Sequence, residues 1–397
     1  MIRNVHMVGG ETSKGGGFIV QSKQNHFIVE SCSSTGVIGG DHRDPNDGCS
    51  DGCRGGGGIC GNECSGDIMI MNCWSSGEIQ DRAGGIAGRH IGINGNGSTV
   101  TITRCHSTGD IVGEFSGGIC GQRSGYDNGH VIITHSYSTG KIHGPGSGGI
   151  CGIAAGVTGN VTIEQCYSLG EISGPGSGGI TGANTGRLNG HVSITNCYSH
   201  GNITGSDHAG GICGLNTGLS SDGAVILTNV YASGDINCSD AGGLIGSIHN
   251  SARRINITMS VYSGYTGNMI GLNDAADKSL TKERNSAHLG EIIGTVYCYN
   301  GHRQECWDNK TIWQAIDEDF PILQNMPTPY PAIPRSTSPS KTISSTPTAS
   351  PSRTTSWTPA VSPSVTPAHK QNRVWMELPV QYPRRSVIMN KVKRGFE

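Results

Sequence analysis

The chain repeats itself, and the repeat decides what it can become. From Val161 to Gly182 it reads VTIEQCYSLGEISGPGSGGITG, and strings of this form recur at a spacing of about thirty residues. Three columns keep step along the chain. A ring-bearing residue falls at Trp74, His106, Tyr137, Tyr167, Tyr198, Tyr231 and Tyr262. The hydrophobic residue after a double glycine falls at Ile59, Ile86, Ile119, Ile150, Ile180, Ile212 and Leu244. A Gly-x-Ile corner ends at Ile79, Ile111, Ile142, Ile172, Ile203 and Ile236. Each unit is therefore one structural turn.

A unit of this kind has only short apolar touches, too brief for a helix or for an independent sheet. Stacked on its neighbours it closes a coil, with each strand over its equivalent in a parallel sheet about 4.8 Å away. The expected fold is all-β: a three-faced β-solenoid of about nine coils whose inward positions form ladders of like residues. Glycine is expected at corners that need positive φ. Composition agrees, because 64 glycines, five phenylalanines and 34% hydrophobic residues suit a thin, elongated core better than a globular one.

The chain divides by composition. Residues 1–15 read as a lead-in, 16–271 as solenoid repeats with an insertion at 41–66, and 272–326 as a last coil and C-terminal cap. In that cap Trp313, Ile316, Phe320, Ile322 and Leu323 supply bulk that the coils lack. A short helical turn over Thr311 to Ile316, followed by a strand, is expected to cover the last coil. Residues 327–370 are Ser/Thr/Pro-rich and predict a disordered stalk, and 371–397 form a basic end.

A net charge of −2 and a pI near 6.7 give no reason to expect nucleic acid. No apolar run reaches the length of a membrane span. The first twenty residues lack the apolar run of a signal peptide. Fifteen Cys, acceptor sequons at Asn96, Asn160, Asn202, Asn237, Asn256 and Asn309, and the Ser/Thr/Pro tail point instead to an extracellular, cell-surface or virion-surface setting. A solenoid end left open presents unpaired strand edges. Either the natural chain starts earlier or another chain covers that end, the second case predicting end-to-end assembly through an uncapped N-terminal coil.

The insertion gathers Asp41, His42, Asp44, Asp47 and Asp51 with Cys49, Cys53, Cys60 and Cys64. Three readings are open for the cysteines: disulfides within the loop, free thiols, or a Zn2+ site with an unusual C-x3-C spacing. Cys60 also occupies the repeated GGIC position and is a candidate core residue. The aspartates are candidate Ca2+ ligands or a solvated loop. No cofactor is otherwise expected. Stacked cysteines such as Cys73, Cys105, Cys166 and Cys197 read as buried thiols, because equivalent positions point the same way and do not suit a disulfide.

The ring column Trp74, His106, Tyr137, Tyr167, Tyr198 and Tyr231 has two readings, a stack that seals a corner or a platform for sugar rings. Beside it, Glu78, Asp110, Lys141, Glu171, Asn202 and Asp235 form an outward charged column, read as a solvated face or as part of a carbohydrate or cation platform. Candidate catalytic groups for a polysaccharide lyase, hydrolase or epimerase are Asp41, His42 and Asp44, with His106, His135 and His208 behind them. No pair of carboxylates beside a Lys or Arg recurs at coil spacing, so an enzyme is not expected.

Units such as Tyr167 to Gly182 and Tyr198 to Gly214, of the form YSxGxIxGxxxGGIxG, resemble the GLUG-motif repeats of large bacterial surface and secreted proteins, with similar repeats in large DNA viruses and protists. The resemblance covers about residues 16 to 324, and Trp313 with Phe320-Pro321-Ile322-Leu323 resembles the ending of such arrays. It implies a right-handed parallel β-helix in a surface or adhesion context and carries no catalytic residues. The chain departs from the pattern in its cysteine content and its 41–66 insertion. The function expected is a non-catalytic rigid spacer or adhesin with a surface glycan or protein partner; the alternative is a polysaccharide-active β-helix enzyme.

Overall fold

Each unit carries one run in which β-branched residues alternate inward and outward, such as Val131 and Ile133 or Val161 and Ile163, and these runs pair in parallel and in register. The structure is a computed structural model that describes residues 1–12, 26–39, 55–93, 97–205, 207–218, 223–238, 240–250, 252, 254–262, 268–273, 281–284, 287–288, 307–308, 310–314 and 321–327. Regular structure among them is β throughout. The first long sheet has ten strands, running from Ile2–Arg3 through Phe27–Glu30, Ile68–Met71, Thr99–Thr103, His130–Thr134, Asn160–Glu164, His191–Thr195, Ala224–Thr228 and Ile255–Thr258 to Thr281–Arg284. The second also has ten strands, each of two residues, among them Trp74–Ser75, Tyr167–Ser168 and Val261–Tyr262. Isolated parallel bridges through Gly57, Gly84, Gly117, Gly148, Gly178, Gly210 and Gly242 make the third face.

This is a parallel β-solenoid, consistent with the right-handed β-helix that the resemblance implies. Among the described residues seven coils carry the double-glycine face, and the two long sheets, of ten strands each, run on beyond it at both ends. Residues 1–12, the described part of the expected 1–15 lead-in, supply the outermost strands: Ile2 pairs with Val29 and His6 with Ser33. Two-residue strands without a Gly-x-Ile corner carry too little pattern for a period to reveal.

The interior divides into ladders. Ile68, Val100, Val131, Val161, Val192, Val225 and Ile255 face the isoleucines that follow the double glycines, together with the buried cysteines. The Gly-x-Ile residues, from Ile38 and Ile79 to Ile203 and Ile236, form a second column with Ala83, Ala209 and Ala241. Between them Ser75, Ser107, Ser138, Ser168 and Ser199 are buried and point at the double glycines rather than at solvent. Only small residues fit there.

The reason for the glycines differs from the expectation. The corner between the two long sheets is left-handed but mostly not glycine: φ is 54° at Asn72 and Arg104, 48° at His135, 52° at Gln165, Asn196 and Asn229, and 46° at Met259. The double glycines answer to close approach, since a Cβ on Gly149 would overlap the Gly179 carbonyl and the Ser168 hydroxyl. Positive φ explains another set, such as Gly156 at 71°.

Tyr262 also differs from its expected place. Val261, not Tyr262, lies in register with Tyr231, and Tyr262 pairs with Ala232. A shift of one residue sends a side chain to the opposite face of a strand, so the ring of Tyr262 packs over Gly243 in the interior.

The described part of the expected helical turn over Thr311 to Ile316 is not helical, and residues 315–316 lie outside the described residues. Lys310 to Ile312 make a turn, and Trp313–Gln314 pairs antiparallel with Ile322–Leu323. This hairpin lies along the side of the solenoid. Trp307 Nε1 donates to the Met259 carbonyl at 3.0 Å, the Tyr231 hydroxyl donates to the Pro321 carbonyl at 2.6 Å, and Arg104 reaches the Asn325 carbonyl at 3.1 Å. The strap thus spans coils from Met259 back to Arg104. The wall of stacked rings offers apolar surface outside the coil interior, and the tryptophans pack on it.

Candidate functional site

The ring column is real and mostly covered. His106 and Tyr137 stack with centroids 4.8 Å apart, as do Tyr137 and Tyr167, while Tyr167–Tyr198 and Tyr198–Tyr231 stand 4.9 Å apart. All four pairs lie within 6° of parallel. The four tyrosines are buried beneath Trp307, Trp313, Leu323 and Met326. Tyr137, Tyr167, Tyr198 and Tyr231 are therefore not an open sugar platform: the chain's own strap occupies them. Trp74 and His106, at the end of the column, are half-buried. Burial without a hydrogen-bond partner at Nδ1 lowers the His106 pKa to about 4, and burial raises that of Tyr137 to about 12.

Of the insertion residues, Asp41, His42, Asp44, Cys49 and Cys53 lie outside the described residues. Cys60 and Cys64 are described and buried. Cys60 bridges to Ala87 in the double-glycine face, so it belongs to the core, and burial followed by its hydrogen bond with Cys64 raises its pKa well above the usual thiol value. Among the described residues no group of three or more His, Cys, Asp or Glu converges as a metal site. His106, His135 and His208 occupy three different columns. His106 stands in the ring stack, His135 is a left-handed corner residue, and His208 Nδ1 lies 3.0 Å from the Asp240 carbonyl.

The stacked cysteines do more than fill space. Just past the left-handed corner a thiol or hydroxyl bonds the backbone: it donates to the carbonyl two residues before it, which also accepts from the corner amide of the preceding coil, and in some coils it accepts from a backbone amide. The Cys197 thiol donates to the Thr195 and Ile163 carbonyls at 3.2 and 3.6 Å, and Cys166 repeats this with Glu164 and Ile133 at 3.3 and 3.6 Å. Ser136 takes the same place in its coil, donating to the Thr134 carbonyl at 2.8 Å and accepting from the Cys105 amide at 3.1 Å. The described cysteines form no disulfide. Burial pushes Cys105, Cys120 and Cys197 well above the ordinary thiol value and Cys213 to about 12; Cys73 is drawn down by its hydrogen bond with Cys105.

The charged column is solvated. Asp110 Oδ1 accepts from the Lys141 amide at 2.9 Å and Asn202 Oδ1 from the Asp235 amide at 3.0 Å, so these side chains tie one corner to the next.

What remains open is the outward face of the first long sheet. In-register pairing sets His130, Asn160, His191 and Ala224 in one line, with Ile132, Thr162, Ser193 and Ile226 in the line beside it. A shallow groove of about 240 Å³ runs over them, lined also by Val161 and Val192. A second hollow of about 510 Å³, lined by Met1, Phe27, Met69, Asp67, His26, Thr99 and Thr101, lies nearer the N-terminus. There the Asp67 carboxylate is already taken by His26 at 3.0 Å and the Thr99 amide at 3.0 Å. Period analysis misses both hollows because outward residues vary from coil to coil; the in-line histidines two coils apart were the only signal.

No family model, curated protein or solved structure matches the chain. No helix among the described residues is long and apolar enough to cross a membrane.

Proposed function

We propose that the chain is a non-catalytic rod, a spacer or adhesin at an extracellular, cell or virion surface, that presents its outer faces to a glycan or protein partner. The observation that carries this reading is the continuous ladder: every coil from Ile68 to Thr258 pairs in register with the next on the first long sheet, and the ring column backs it on the second. Seven strands at about 4.8 Å give a stiff element about 29 Å long over that stretch alone. Such a stack favours reach and rigidity over the convergence of acid and base groups that glycan chemistry needs. The likeness of Tyr167 to Gly182 to GLUG-motif repeats supports the same surface setting. The polysaccharide-active alternative rests on Asp41, His42 and Asp44, outside the described residues. Incubation with polyuronates and neutral polysaccharides, followed by chain-length analysis, tests the reading: unchanged polymers are expected, and depolymerisation or epimerisation lost on His42→Ala would overturn it.

A further inference from the structure

We infer that the groove over His130, Asn160, Thr162, His191 and Ser193 is a binding subsite for one ring of a neutral glycan. The inference rests on the reading of the rod as a surface-presenting element and names the face and the ligand chemistry. The groove exists because the outward line reads His130, Asn160, His191, Ala224: two imidazoles alternate with shorter side chains and leave hollows between them. Its volume of about 240 Å³ falls below the roughly 300–1,000 Å³ of pockets for drug-sized ligands and suits a single ring.

The chemistry of the lining selects the ligand. Imidazole, carboxamide and hydroxyl groups each offer both a donor and an acceptor, as does every hydroxyl of a sugar. No Lys, Arg, Asp or Glu lines the groove, so nothing in it matches a phosphate, a sulfate or an ammonium group. Ile226, an exposed hydrophobic residue on the outward line, supplies apolar surface against which the C–H face of a ring can lie.

Four of these polar groups are also uncommitted. No hydrogen bond or ion pair within the described residues engages the side chains of His130, Asn160, Thr162 or His191. On the neighbouring outward line Thr134 and Thr103 bond each other at 3.0 Å, and Asp67 is doubly engaged. Over the groove Ser193 Oγ lies 3.5 Å from Thr195 Oγ1, while the other four polar side chains make no such bond among the described residues.

The test is a glycan array with neutral and anionic oligosaccharides, followed by titration of the full chain with the best neutral hit. The wild-type chain is expected to bind a neutral oligosaccharide. The double variant His191→Ala with Thr162→Val, both on the solvent face, is expected to bind about tenfold more weakly with an unchanged melting temperature. Undiminished binding by the folded double variant overturns the groove while leaving the rod intact. Binding restricted to anionic glycans, or no binding at all, overturns it too. A glycan found covalently on Asn160 by intact mass would make the groove an attachment point and overturn ligand binding there. Depolymerisation of the hit would count instead against the non-catalytic reading.

Discussion

The ring of Tyr167 lies 4.9 Å from that of Tyr198 and 6° from parallel with it, although 31 residues of chain separate them. The stack is a direct readout of register, since rings one coil apart meet this way only when the backbone ladder is unbroken between them. It also creates the wall against which residues 307–326 pack.

Replacing Tyr198 with alanine removes a fully buried ring from the middle of that wall. The expected loss is about 3–5 kcal/mol, against less than about 1.5 kcal/mol for Tyr198→Phe, which keeps the stack. Denaturant midpoints of the two variants measure the difference, and equal midpoints would contradict a packing role for the ring.

Trp313 stands 4.6 Å from Trp307 and 5.8 Å from Tyr231, with its indole N–H on Asn196. Trp313→Ala is expected to free the strap, shifting tryptophan emission to the red and opening the 307–326 segment to protease, while the far-ultraviolet signal of the coils persists. Simultaneous loss of both signals would show that strap and coils cannot be separated.

Gly149→Ala drives a methyl into the next coil's backbone and into Ser168. A cost of about 3 kcal/mol or outright misfolding is expected. Gly97, with φ of 86° and open space around it, is expected to tolerate alanine at about 1–2 kcal/mol of backbone strain. Thermal melts rank the pair.

Cys166→Ser is expected to be nearly neutral, because Ser136 already performs the same hydrogen bonding one coil away. Alkylation of the native chain at pH 8, followed by peptide mapping, is expected to leave Cys105, Cys120, Cys197 and Cys213 unmodified until the solenoid unfolds, since burial holds each thiol above its ordinary range. Rapid labelling of any of them would refute the closed ladder.

His106 carries a pKa near 4 in the folded chain because burial disfavours its charge. The unfolded chain takes up a proton at about pH 6.5, so stability is full above that value and declines as pH falls toward 4. With the ring half-exposed the loss is on the order of 1–2 kcal/mol. Melting curves between pH 7 and 4 are expected to show this slope, flattened in His106→Tyr, which extends the tyrosine stack. His135, also lowered by burial and by Arg104, leaves a residual slope.

The ladders were legible because a period is a property of spacing. Tyr137 to Tyr231, the Gly-x-Ile column and the buried thiols all followed from it. Register at the edge of the array was not legible, as Tyr262 shows: the strand pairs one residue earlier than the ring column expects, which exchanges inside for outside without altering composition. The left-handed corner was invisible for a different reason. Arg104, Gln165 and Met259 carry no residue-type signal for positive φ, and the ladder around them, not their own preference, holds the backbone there. The strap's bulk was legible at Trp313, Ile322 and Leu323, but its direction depends on a wall that exists only once the tyrosines have stacked. The groove over Asn160 depends likewise on which outward residues happen to be neighbours.

A linear stack in which each turn touches only the next should come apart piecemeal from its ends. The hairpin anchored at Met259, Tyr231, Asn196 and Arg104 alters that, because it binds turns that share no edge. Pulled from either side, the coils between Arg104 and Met259 should yield in one abrupt step, whereas the stretch from Phe27 to Met71 should peel away gradually.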